Sequence, residues 1–168
     1  MRIVLVLERI TSLAAAVGVC LILPLVAAMV FEVSSRYLFA APTSWAYEIS
    51  YMFMAAALIM GIAYALKIRQ HVNVDLVYGA LGPRGRAVVD LLGYCLLLPC
   101  VAWLTYALFG FAADAFRSGE QSGISAWNPV IWPYRAVLTL GFAVFVLQVL
   151  AEVAKSLQAL VANAPEGR

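Results

Sequence analysis

Few residues in this sequence could do chemistry, and their spacing argues against most of it. Three cysteines, Cys20, Cys95 and Cys100, all lie in apolar stretches. None belongs to a Cys-x-x-Cys pair, and Cys95 and Cys100 fall on different faces of a helix, so no redox couple is built. They read as buried, inert thiols. The single histidine, His71, excludes a bis-histidine haem and leaves an intramembrane zinc site short of ligands. Walker, His-Glu-x-x-His and Gly-x-Ser-x-Gly motifs are missing. All nine acidic residues fall at the edges of apolar runs or between them. Proton and ion relays place Asp, Glu or His deep in a membrane. The chain is therefore expected to be no enzyme, to carry no cofactor or metal, and to bind no coupling ion or charged substrate itself.

The elements that position these residues follow from composition. Of 168 residues, 65% are hydrophobic and 12% charged, and the mean hydropathy is +0.94. A soluble domain of this size could not hide so much apolar surface. The reading is an integral membrane protein. A net charge of +2 points to no nucleic-acid partner. The charges divide the chain into four apolar runs, with spans over about 10–33, 45–66, 88–113 and 132–154. A span needs about 20 residues, because a helix rises 1.5 Å per residue through a core of about 30 Å. Backbone groups must be satisfied within lipid, so the spans are helices. The fold class is all-α, a single four-helix membrane domain, too short for a complete large transporter. The first run continues far beyond a signal peptide and is kept as an anchor.

Basic residues set the orientation. Termini in the cytoplasm place Arg2, Arg9, Lys67, Arg69, Arg84, Arg86, Lys155 and Arg168 inside and only Arg36, Arg117 and Arg135 outside. The positive-inside rule favours that arrangement. Tyr37, Phe39, Trp45 and Tyr47, then Trp127, Trp132 and Tyr134, read as anchors at the lipid interface. A short interfacial helix is expected near Val74 to Leu81, followed by a Gly82-Pro83 break with Pro83 opening the third helix. The loop from Arg117 to Pro133 is read as irregular. Residues 155–168 form an amphipathic tail, expected to lie along or leave the cytoplasmic face. Pro24 and Pro99 should kink the first and third spans.

Two features suggest contacts. Glu32, Arg36 and Glu48 cluster around the first outer turn; they could pair with each other, snorkel into headgroups or meet another subunit. Ala14 and Gly18, and Ala57, Gly61 and Ala65, form small-residue stripes that let helices approach closely in lipid. The second stripe packs either within the chain or on a partner. If the Ala56 side of that helix faces lipid, bulk at Ala56 should matter less than bulk at Gly61.

The segments RYLFAAPTSWAYEIS (Arg36 to Ser50) and GIAYALKIRQHVNVDL (Gly61 to Leu76) add a further clue, as do Glu120, Ser125, Pro129, Trp132-Pro133, Gln148 and Glu152. Together they resemble the small membrane subunit of the tripartite ATP-independent periplasmic (TRAP) transporters of bacteria. The resemblance implies a multi-pass protein of the bacterial inner membrane. Its partners would be a large multispan permease subunit, membrane lipid and, through the complex, a periplasmic solute-binding protein. It implies a part in sodium-coupled uptake of an organic acid, with the sodium and solute sites in the large subunit and this chain packed on its scaffold. Arg36, Trp45, Glu48, His71 and Asp75 would be structural or subunit-contact positions, as Gly61 and Trp132 would be on the packing and anchoring arguments. The competing reading is a generic four-helix assembly protein with no transport role.

Overall fold

A computed structural model describes residues 2–68 and 82–162. Four α-helices account for nearly all of them: α1 (Arg2–Leu38), α2 (Ala46–Lys67), α3 (Pro83–Ser118) and α4 (Trp132–Ala162). Each is long and apolar enough to cross a membrane. His71, Asp75, the expected interfacial helix and the last six residues of the tail lie outside the described residues.

Local chemistry sets the helix ends. Pro83 occupies the first turn of α3, where its missing N–H costs no helical hydrogen bond. Gly82 precedes it as an extended cap whose carbonyl accepts from the Arg86 N–H at 3.0 Å. At the other end Gly119 takes the left-handed conformation, φ 63°, and closes the helix onto the Ala115 carbonyl. Helices α1 and α3 run on through Pro24 and Pro99. Beyond Glu152 the chain continues as helix, within α4, through Lys155 to Ala162.

Helix α1 packs along α2, and α3 packs along α4; α4 also lies against α2 and, less extensively, α1. The buried core sits where α2, α3 and α4 meet, at Ala63, Leu66, Val101, Phe145 and Val149. Helix α4 is therefore the hub, while α3 is held mainly by α4. Burial is sparse. In the most apolar windows of α1 and α3 only 11% of residues are buried, against 33% in α4. The starts of α1 and α3 and the ends of α2 and α4 share one end of the molecule, here the basal end. The α1–α2 and α3–α4 connections lie at the opposite, loop end.

The loop between α3 and α4 is more ordered than its Gly-Ser-Pro composition suggests. Gln121 and Val130 form an antiparallel bridge. The Asn128 amide donates to the Gln121 side chain at 2.6 Å and accepts from the Gly123 N–H at 2.7 Å. Arg135 then grips Glu120 through two bonds of 2.7 and 2.6 Å. Such paired guanidinium–carboxylate contacts fix geometry as well as charge, so the loop is tied to the first turn of α4.

Candidate functional site

At the loop end, the last turns of α1 and the first turn of α2 gather the polar residues of the first connection. Glu32 and Arg36 are one helical turn apart on α1, and their side chains pair: Nε to Oε1 at 3.0 Å, with Nη2 on the same oxygen. The other carboxylate oxygen accepts from the Thr43 N–H at 2.9 Å and from the Thr43 hydroxyl. Glu32 thus folds the connection back onto α1, and both of its oxygens are satisfied. Internal pairing is the outcome for these two residues. Trp45 caps α2 and stacks on Phe31 with ring centroids 5.7 Å apart. Trp132 opens α4 and meets Phe116 edge-on at 5.2 Å. Tyr51 meets Tyr134 edge-on at 5.8 Å. These aromatic pairs join α1 to α2, α3 to α4 and α2 to α4 at the same end.

Glu48 does not join the Glu32–Arg36 pair. It is completely buried in the first turn of α2, and neither carboxylate oxygen has a hydrogen-bond partner. The Tyr51 hydroxyl, one turn on, and the Ser50 hydroxyl are likewise buried and unpartnered. Position at the edge of an apolar run does not fix a carboxylate's exposure. Glu32, Glu48 and Glu152 are buried, at 7%, 0% and 2% exposure.

A second polar cluster lies at the basal end, and sequence spacing gave no hint of it. Lys155 on α4 bridges Glu152 at 2.6 Å and Glu8 on α1 at 2.5 Å. Gln148 donates to Glu152 at 2.8 Å and accepts from the Thr11 hydroxyl at 2.8 Å. Lys67, at the end of α2, donates to the Ser12 hydroxyl at 2.7 Å and to the Glu8 carbonyl at 3.2 Å. One chain of hydrogen bonds therefore ties α1 to α4, and Lys67 adds α2. Burial of Gln148 and Glu152 is affordable because each finds its partners.

The two small-residue stripes behave differently within the chain. Gly18 faces α2 tightly: a β-carbon there would lie 3.0 Å from the Ala57 carbonyl oxygen and 3.2 Å from the Met60 β-carbon. Gly141 on α4 is closer still to the Ile59 side chain, whose Cγ2 would lie 2.6 Å from a β-carbon there. Gly61 has no atom within 4 Å of where its β-carbon would be. It lines an open apolar groove between α1 and α2. Ala56 is buried, at 5% exposure, so the condition under which bulk there would matter less is not met. All three cysteines are free and exposed rather than buried, because the outer surface of these helices is as apolar as their contacts. Among the described residues no group of three or more His, Cys, Asp or Glu side chains could hold a metal ion.

What remains is a set of membrane-crossing helices with a satisfied polar cluster at the basal end, a Glu32–Arg36–Thr43 cluster beside the unpartnered Glu48, Ser50 and Tyr51 at the loop end, and broad exposed apolar faces. Comparison with protein families gives this arrangement its context: the DctQ component of the tripartite ATP-independent periplasmic transporters matches residues 25–159. The chain belongs to that family. The match takes in the last third of α1, all of α2 and α3 and nearly all of α4. It covers both sides of the loop-end cluster and, at the basal end, Gln148, Glu152 and Lys155 but not Glu8 or Thr11. As a DctQ-family protein it is a multi-pass component of a tripartite transporter, a family of transporter parts rather than of enzymes. No curated protein matches it.

Proposed function

We propose that this DctQ-family chain is the small permease subunit of a TRAP-type secondary transporter, packed on the scaffold of the large membrane subunit. In the assembled system it stabilises the fixed part of the permease during sodium-coupled uptake of an organic acid delivered by a periplasmic binding protein. It resides in the bacterial inner membrane with both termini cytoplasmic. Arg36, Trp45, Glu48, Gly61 and Trp132 act in structure or subunit contact, and no residue of this chain touches solute or sodium.

The observation that carries this reading is the family match, taken with how little of α1 and α3 the chain buries by itself. Helices so poorly covered by their own chain present apolar faces to lipid or to another helical subunit. The buried acids Glu32 and Glu152 already have partners inside the chain. Both described grooves between α1 and α2 are apolar, unlike the polar helix breaks that hold ions in transporters. Co-expression with a large permease tests the reading. The two should co-purify, and sodium-driven uptake should require both. A chain that purifies alone and is dispensable for uptake would instead be a general assembly protein.

A further inference from the structure

An open apolar groove runs between α1 and α2. Its wider half, about 550 Å³, lies toward the loop end between residues 25–30 of α1 and 47–54 of α2. A narrower half of about 380 Å³ continues toward the basal end and shares Leu25 and Met54 with it. The walls are apolar, and Val26, Val30 and Met54 are each more than half exposed. Gly18, Leu25, Met29 and Arg36 follow one another at spacings of seven, four and seven residues. That places Arg36 on the groove side of α1. Eleven residues separate Leu25 from Arg36, about 16 Å along the helix axis. This matches one leaflet of a hydrocarbon core about 30 Å thick.

Beyond the lining residues, toward the loop end of α1, the side chain left open by the Glu32–Arg36 pair is the cation. The Glu32 side chain is 9% exposed and capped by Thr43, whereas the Arg36 side chain is 57% exposed. Only Nε and Nη2 of its guanidinium contact Glu32. The remaining N–H groups suit a phosphate, which guanidinium binds through paired hydrogen bonds. Tyr47, 63% exposed, lines the α2 side of the groove.

We propose that this groove is a phospholipid site: the phosphate rests on Arg36 and one acyl chain lies in the wider half as far as Leu25 and Met54. The site depends only on the helices crossing a membrane, so it stands or falls separately from the transporter reading. Photocrosslinking tests it. Benzoylphenylalanine is placed at Val30, inside the groove, or at Leu96, an exposed position on α3, in the full chain. Cells are labelled with radioactive phosphate, and the chain is purified in detergent before irradiation so that only retained lipid reacts. Val30 should yield labelled lipid adduct about tenfold above Leu96, a difference one lost charge-assisted contact could erase. Arg36→Gln should remove the excess by releasing the headgroup, and Met54→Trp by filling the groove. If Arg36→Gln does not insert, Met54→Trp decides alone. Equal labelling at Val30 and Leu96, labelling that survives Met54→Trp, or an adduct with another protein or a second copy at Val30 would overturn the proposal.

Discussion

Gly18 of α1 lies so close to Ala57 of α2 that a β-carbon on it would stand 3.0 Å from the Ala57 carbonyl oxygen. The neighbour is backbone and cannot rotate away, so the two helices must separate to admit a side chain. Gly18→Leu should destabilise the chain by about 1–3 kcal/mol, the usual cost of overpacking. Gly61→Leu, at a position with open space, should leave the stability of the purified chain nearly unchanged. Unfolding midpoints of the two variants in the same detergent check this; equal losses would mean that the α1–α2 contact is placed wrongly.

Lys155 should be the most sensitive position of the basal cluster. Lys155→Met leaves Glu152, 2% exposed, without its cation. Stranding a buried charge costs about 3 kcal/mol or more. Adding Glu152→Gln to Lys155→Met should recover much of that loss, since an amide carries no charge to strand. A double variant as unstable as the single one would show that the cation acts through Glu8 instead.

Glu48 predicts the opposite sign. Its carboxylate oxygens are buried without hydrogen-bond partners, so the chain by itself gains nothing from them and bears their desolvation. Glu48→Met, similar in volume, should leave the unfolding midpoint of the isolated chain unchanged or raised. A loss of more than about 1 kcal/mol, typical of a net hydrogen bond, would reveal a partner for the carboxyl.

These three cases mark what the sequence could and could not convey. Four helices were legible because uncharged runs between charged residues report spanning length directly. Pro83 announced the start of α3, and the spacing of Glu32 and Arg36 by one turn allowed their pairing. The Glu8–Lys155–Glu152 cluster was not legible. It depends on how the start of α1 lies against the end of α4, and nothing local in the sequence records that. Burial failed for a different reason. In lipid the outside of a helix is as apolar as its inside, so hydrophobicity could not tell that Cys20, Cys95 and Cys100 face outward while Ala56 faces inward. Gly18 and Gly61 look alike for the same reason, and only a neighbouring helix separates them.

The proposed orientation predicts a reporter pattern. A reporter active only in the cytoplasm should work when fused after Arg168 or inserted between Arg84 and Arg86, and should be silent near Gly119. Activity at Gly119 with silence at the C-terminus would reverse the orientation.

The central claim is that this chain contributes assembly and not solute binding. Sodium-driven uptake by the reconstituted transporter, measured for Trp45→Ala against the unaltered chain, tests it most directly. Loss of the Trp45 stack on Phe31 should lower the maximal rate in step with the amount of assembled complex, with the apparent affinity for solute unchanged. A shift of apparent affinity of about tenfold, or about 1.4 kcal/mol, with the complex intact would place the solute site in this chain and contradict the account.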